Sequence, residues 1–462
     1  MSMLEVAEGS RTMLLEHMKV QYGQFFTPAS LAERVVSGLR FPGTGALRML
    51  DLGAGAGALT AAVARLLPDG VNLHVTCVEV DTDLLPHLRR TLAGLDHEII
   101  HGDALSLAAQ GMLRDDYDVV VMNPPYGKLA AASEERRAMA QLGVDVPNMY
   151  AAFMAIGYLH LRQGGQMAAI VPRSWTNGPY FKRFREHMLA HVSLDRIQAF
   201  ASRSALFSEA KVLQENVIVT CTRSREQGEV ELIFDAAEPR RVPFGSIVHP
   251  RDAEHFVRIP TGRERELPGA PLGAVGLRVS TGKVVDFRAR EHLAEPGNDT
   301  YPMIYQGNIH AGRVVWPRNI GKTQGFRCAP DEFRKFLVPP GAYVVVKRFS
   351  AKEEKRRVVA AVHEATTHVA YDNKTNVLSC PDRDVAVGLA YWLNSTAVDD
   401  HFRAFSGHTQ VNATDLRTMP YPSVEQRTMP YPSVEQLRML GSGRDAAMPD
   451  QAVIDAVVEH LL

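Results

Sequence analysis

The chain has 462 residues, 45% of them hydrophobic, with 51 Lys and Arg against 52 Asp and Glu, a size that sets a prior of roughly two to four domains and a balance that confines any nucleic-acid surface to a local patch. Its four cysteines, Cys77, Cys221, Cys328 and Cys380, form no Cys-x-x-Cys pair and its histidines no ligand spacing, which speaks for a reducing cytoplasm and against a zinc or other metal site. A signal peptide and an apolar run of ~18 residues are both missing from the pattern, so neither export nor membrane spanning is expected.

In chain order, the first informative stretch is Gln21-Tyr22-Gly23-Gln24-Phe25-Phe26-Thr27-Pro28. Thr27 and Pro28 read as the N-cap and first residue of a helix carrying Leu31, Val35 and Leu39, and an exposed helix start can hold a carboxylate. Leu47-Arg48-Met49-Leu50-Asp51-Leu52 then runs as an apolar strand into Gly53-Ala54-Gly55-Ala56-Gly57-Ala58 and a helix. Gly53, Gly55 and Ala58 satisfy the dinucleotide fingerprint, so the glycines alone do not separate NAD from S-adenosylmethionine (SAM). The neighbouring acids do. Asp51 opposes a pyrophosphate but suits the amino-acid and sulfonium part of SAM. Glu79 closes the next strand where a carboxylate accepts ribose hydroxyls, and Asp103, followed by Ala104, ends the strand after that, where it can receive an adenine amino group. A single acid at a strand end is more often a turn former; three at successive strand ends are hard to explain that way.

The fourth strand, Tyr117 to Met122, ends in Asn123-Pro124-Pro125-Tyr126. A planar amine gives its lone pair to its ring and is a poor nucleophile. The side-chain oxygen of Asn123 and the backbone oxygen of Pro124, fixed in direction by its own ring and by Pro125 after it, are acceptors for its two N–H bonds. Tyr126 offers a ring face for a planar base. On its own the tetrapeptide is as readily a proline turn; after three acidic strand ends it reads as a catalytic loop.

With these motifs the chain resembles the gamma-class (TaqI-like) adenine-N6 DNA methyltransferases of restriction-modification systems. The segment 21–28 is similar to that family's N-terminal cofactor motif, and its place ahead of the glycine loop matches the family's motif order. Asn148 to Phe153, and Gly164 to Arg173, look like the helix and strand that follow the catalytic loop, mainly scaffold. Leu206-Phe207-Ser208-Glu209-Ala210-Lys211 resembles the motif whose aromatic stacks on the target base opposite Tyr126, although a core Phe is an equal reading for Phe207 and a solvated side chain the plain one for Lys211. The resemblance implies SAM as cofactor, held by Thr27, Pro28, Asp51, Gly53, Ala54, Gly55, Glu79, Asp103, Ala104 and Asn123. It further implies double-stranded DNA as partner, a cognate restriction endonuclease acting on the same site, and a target base flipped from the duplex.

Strands alternate with helices to about residue 230, implying an α/β, Rossmann-like doubly wound sheet with its ligands at the carboxyl ends of the strands. Beyond, Pro, Gly and short β-like runs such as 313–316 and 342–347 dominate. The expected division is a SAM-binding catalytic domain 1–235, a mixed α+β target-recognition domain 236–440 and a C-terminal helix within 441–462. The basic run from Lys347 and Arg348 through Lys352 to Arg357 reads either as phosphate contact or as a solvated helix start. The stretch 391–416 resembles a methylase specificity region, with His408, Gln410 and Asn412 as polar groups suited to base edges or phosphates. Residues 417–426 recur letter for letter as 427–436, and their prolines suggest an extended surface segment. Two other readings stay open: a methyltransferase acting on a protein glutamine amide or on RNA adenine, and a DNA-binding modification subunit with no activity of its own.

Overall fold

The computed structural model describes residues 27–200, 216–234, 237–250, 252–260, 267–350, 354–406, 410–422 and 434–462. The chain divides into two compact units, meeting at Ile259 and Pro260.

The first unit is built on nine strands, β1 (Thr44–Leu52), β2 (Gly70–Glu79), β3 (Asp96–His101), β4 (Tyr117–Met122), β5 (Leu161–Pro172), β6 (Ser193–Ala199), β7 (Asn216–Thr222), β8 (Glu229–Phe234) and β9 (Arg240–Pro243), in the order β3-β2-β1-β4-β5-β7-β6-β8-β9. Strands β1 to β5 are mutually parallel, while β7 runs antiparallel to β5 and β6. A parallel sheet covered on both faces needs strands apolar on both sides, and β4 shows how. Val120 and Met122 enter one core cluster with the helix Met149–Leu159, and Val119 and Val121 enter the other with the helices Ala29–Val36 and Ala58–Leu66. Each such side chain contributes roughly 1.5–3 kcal/mol of burial.

The order reverses between β1 and β4, and ligands of doubly wound sheets bind at that switch point, beyond the carboxyl ends of the strands. The β1 end leads into Gly53 and the β4 end into Asn123. The unit extends past the expected boundary at 235 because β8 pairs with β6 and β9 with β8, so the sheet edge is completed only by residues up to 243.

The second unit centres on a six-stranded sheet in which Gly341–Lys347 lies between its antiparallel neighbours Ala360–Ala365 and Thr375–Cys380. The helix Arg383–Leu393 packs on it, capped by Asp382 accepting from the Val385 N–H at 2.9 Å. Near the C-terminus the helix Gln451–Val458 buries Ile454 and Val458 and is tied to the body by Asp455, which accepts from the Thr396 N–H at 2.7 Å and hydroxyl at 2.6 Å. The described part of the first copy of the duplicated decapeptide, residues 417–422, is not the surface segment its prolines suggest. Its Tyr421 is fully buried, pairs with Ala270 and donates to the Leu416 carbonyl at 2.7 Å, while residues 434–436 of the second copy lead into a helix, Glu435–Gly441.

Candidate active site

A cavity of ≈ 290 Å³ lies at the carboxyl ends of β1, β2, β3 and β4, lined by Thr27, Gly53 to Ala56, Glu79, Asp103, Ala104, Asn123 and Pro125, at the lower end of the roughly 300–1,000 Å³ usual for small-molecule sites. Of the residues expected to hold a cofactor, all but Pro28 and Asp51 stand on its wall. Gly53 turns the chain out of β1 with φ of +77°, and a Cβ there would stand 3.2 Å from the Phe153 ring. A side chain at this position meets both strain and a wall. The Gly53 and Ala54 N–H groups donate to the Val78 carbonyl at 3.0 and 2.9 Å, binding the loop to the end of β2.

Glu79 is almost fully buried and accepts three backbone N–H groups, from Gly55 at 2.7 Å, Val80 at 2.9 Å and Asp81 at 2.8 Å. Burial raises its carboxyl above the ordinary value and those N–H groups oppose the shift. The carboxylate is thus fixed on the cavity wall, with Oε1 accepting two of the three N–H groups and Oε2 one, which leaves Oε2 a lone pair for a further donor. Asp103 caps the helix Ala104–Ala109 through Oδ1, which accepts from the Ser106 N–H at 2.8 Å.

Asp51 is placed differently from the sequence expectation. It is fully buried behind the glycine loop, where its Oδ2 accepts from the Thr60 hydroxyl at 2.6 Å, and it lines no part of the cavity. Burial pushes its carboxyl up to about 7, against the Thr60 hydrogen bonds, and the nearby Glu79 charge adds to the rise. Asp51 therefore positions the start of the helix Ala58–Leu66. Thr27 and Pro28 also differ: Pro28 occupies the N-cap of the helix Ala29–Val36 with no side-chain cap, and the Thr27 hydroxyl instead accepts from Asn123 Nδ2 at 2.9 Å.

Past Pro125, which still lines the cavity, the loop leaves its wall. Pro124 is buried, and the half-buried Tyr126 ring stands edge-on to Tyr150 with centroids 6.3 Å apart and planes at 84°. Burial raises the Tyr126 phenol, keeping it neutral. Sequence reasoning missed the apolar lining, above all Met149 and Phe153. Their spacing of four on one helix, straight after the Asn148 cap, was the available signal. Phe207 and Lys211 lie outside the described residues.

In the second unit, the basic run is largely spent internally. Arg348 donates to the Asn373 carbonyl at 3.1 Å and Gln410 Oε1 at 3.4 Å; Arg356 donates to the Ser395 carbonyl at 2.8 Å; and the buried Arg357 lies over the Phe402 ring. Asn412 caps the helix Ala413–Thr418 in a reciprocal box with Asp415. Lys347 is half-exposed, and Lys352 and His408 lie outside the described residues. Among the described residues no cluster of three His, Cys, Asp or Glu side chains is placed to hold a metal ion, and no helix is long and apolar enough to cross a membrane.

The class of protein follows from the glycine-loop cavity at the switch point, with Glu79 and Asp103 on its wall and Asn-Pro-Pro-Tyr on the fourth strand: a SAM-dependent methyltransferase. Residues 79–207 match the Eco57I restriction-modification methylase family, and the chain is 38% identical over 462 residues to the type II methyltransferase M.BsuBI of Bacillus subtilis, covering 91% of this chain and 92% of that one. The chain belongs to the type II methyltransferases, the site-specific DNA-modifying enzymes of restriction-modification systems. It is also 35% identical over 461 residues to M.PstI of Providencia stuartii, covering 91% of each. The cryoEM structure of a DrdV–DNA complex superposes with a TM-score of 0.50 over 92% of this chain and 57% of the other at 12% identity, a likeness of fold.

Proposed function

We propose that the methyl acceptor is the N6 amino group of an adenine extruded from duplex DNA. The observation that carries this reading is the placement of Asn123. It lines the cofactor cavity on one side and leads into Tyr126 on the other, with its amide nitrogen committed to Thr27. That commitment gives the other end of the amide, Oδ1, the acceptor role toward an amine N–H. The Pro124 carbonyl supplies the second acceptor. With both N–H bonds held, the nitrogen lone pair is drawn out of the ring plane toward the methyl group. SAM, when bound, supplies an electrophilic methyl on its sulfonium.

Glu79 would accept ribose hydroxyls, Asp103 the cofactor's adenine amino group, and the start of the helix Ala29–Val36 would hold its carboxylate. In the methyl-transfer chemistry the new nitrogen–carbon bond would replace the sulfur–carbon bond of SAM, leaving a neutral thioether. The amine loses a proton only once it carries the methyl, so positioning and electrostatics outweigh any strong base. Tyr126, neutral at every working pH, and Phe207 hold the ring. Extrusion is required because a stacked base does not reach the cofactor.

The second unit acts as the target-recognition domain, and the enzyme works in the cytoplasm beside an endonuclease that cleaves the same site. Long-read sequencing and nucleoside mass spectrometry of DNA from cells expressing the protein test the reading. N6-methyladenine at one defined sequence is expected, and its loss in Asn123→Ala with SAM binding retained. N4-methylcytosine, or methylated protein or RNA with unmodified DNA, overturns it.

A further inference from the structure

The turn that follows β5 lies on the same sheet edge as the catalytic loop, since β4 and β5 are parallel neighbours with Met122 opposite Ala169. An aromatic chain joins the two. Tyr126 meets Tyr150 edge-on, and Tyr150 stacks on Phe181 with centroids 5.6 Å apart and planes at 21°. The residue before Phe181 is Tyr180, and it is 83% exposed. A single exposed aromatic is ordinary on a protein surface; the turn that carries this one is not.

The Gly178 N–H donates to the Ser174 carbonyl at 2.8 Å, and the Phe181 N–H to the Gly178 carbonyl at 3.1 Å. A Cβ on Gly178 would stand 2.6 Å from the Ser174 oxygen and 2.7 Å from the Phe181 ring, so no side chain fits there. Beneath the turn, Arg185 is fully buried and directs its guanidinium to backbone carbonyls, those of Trp175 at 3.0 Å, Gly178 at 2.9 Å and Glu254 at 3.0 and 2.8 Å. Burying a guanidinium is expensive unless its donors are all met, and here it rigidifies a turn whose outermost side chain is an exposed tyrosine. On the catalytic loop itself, Lys128 is exposed and in no ion pair among the described residues, which leaves positive charge available on the segment that follows Tyr126.

We propose that Tyr180 is a DNA-contacting residue that stacks into the duplex beside the target base and supports its extrusion. The inference rests on the base-flipping reading above. A turn whose backbone is fixed before binding needs less ordering when the ring it carries stacks, and an aromatic face accepts any base, so the contact assists opening without adding sequence preference.

The test compares wild type, Tyr180→Ala and Tyr180→Trp by single-turnover methylation of a duplex with a paired target and of the same duplex with the target mismatched, with affinities for SAM and for each duplex measured by calorimetry. Tyr180→Ala should methylate the paired duplex about tenfold more slowly, as loss of one base–aromatic stack implies. The mismatch should restore most of that rate, because less pairing opposes extrusion. Tyr180→Trp should stay near wild type, and SAM affinity should be equal in all three. A wild-type rate for Tyr180→Ala on the paired duplex, or a loss that the mismatch leaves in place, overturns the role of Tyr180. Equal affinity of the wild-type enzyme for paired and mismatched targets instead overturns the flipping reading beneath it.

Discussion

Asn123 donates its amide N–H to the Thr27 hydroxyl at 2.9 Å, joining residues 96 positions apart. This bond ties the Asn-Pro-Pro-Tyr loop to the segment that opens the first described helix, and under the proposed mechanism it orients the Asn123 amide so that Oδ1 meets the acceptor amine. Thr27→Val keeps the shape and removes the oxygen. A hydrogen bond of this kind contributes about 0.5–1.5 kcal/mol, so a fall in kcat of roughly two- to tenfold is expected, with Thr27→Ser near wild type. Steady-state kinetics at saturating SAM check it, and an unchanged kcat in Thr27→Val removes Thr27 from the orientation of Asn123.

Glu79 carries the strongest prediction for the cofactor. Hydrogen bonds to a charged group contribute about 1.5–3 kcal/mol, so Glu79→Ala should weaken SAM binding by roughly ten- to a hundredfold. The substitution also leaves the Gly55 N–H without its acceptor, so circular dichroism and melting temperature should accompany the calorimetry. Wild-type affinity in a folded Glu79→Ala protein sinks the ribose assignment.

Asp51 should report itself through pH and not through direct contact with SAM. Its carboxyl stands at about 7 in the folded chain against an ordinary 3.8. The folded state therefore keeps a proton that the unfolded chain gives up between those values. Stability from this group is complete below about pH 4, falls as pH rises through about 7 and is flat above. At ~1.4 kcal/mol for each pH unit separating the two values, the full span is a few kcal/mol at most. Asp51→Asn is neutral throughout and keeps an oxygen for the Thr60 hydroxyl. Its melting temperature should gain on wild type as pH rises from about 5 to about 8. A constant difference over that range excludes Asp51 as the buried acid.

The direction of Asp51 was in fact present in the sequence. Side chains alternate along a strand, and Asp51 shares its parity with Met49, which packs with Leu59, Ala62 and Val63 on the helix side of β1. The chemistry of a carboxylate before a glycine loop outweighs that parity when the sequence is read alone. The strand ends at Glu79 and Asn123 were legible because buried parallel strands are apolar runs that stop where a polar residue must point at something, whereas β3 before Asp103 is a largely exposed Asp-His-Glu-Ile-Ile-His and gives no such signal. The basic run 347–357 was not legible in the same way. The acceptors that engage its arginines come from Asn373, Ser395 and Gln410, too distant in sequence for any local pattern to reveal. The first unit runs past 235 because the edge strand β9, Arg240–Pro243, pairs with β8, a pairing too short to stand out in the sequence.

The division at Ile259 makes the role of the second unit testable. A fragment ending there keeps the whole nine-stranded sheet and every residue lining the cavity, so it should bind SAM near wild-type affinity. It should not methylate a defined DNA site, because the proposed recognition elements all lie beyond it. Site-specific methylation by the fragment moves sequence readout into the first unit.

The aromatic clamp is tested by removing its two faces separately. If Tyr126 and Phe207 hold an extruded adenine, Ala at either position should slow methylation by an amount corresponding to ~1–3 kcal/mol of base–aromatic stacking, a partial loss because the other ring remains. The two substitutions should differ in their effect on stability. Tyr126 packs against the core through Tyr150, so Tyr126→Ala lowers the melting temperature as well as the rate, and Tyr126→Phe, which keeps the ring, restores both. A 2-aminopurine at the target position should brighten on binding wild type as unstacking relieves its quenching, and a mismatch there should tighten binding. If Tyr126→Phe fails to recover the rate, the phenol hydroxyl and not the ring face is what the reaction uses. If Phe207→Ala methylates as wild type does, Tyr126 has no stacking partner at that position and Phe207 is a packing residue.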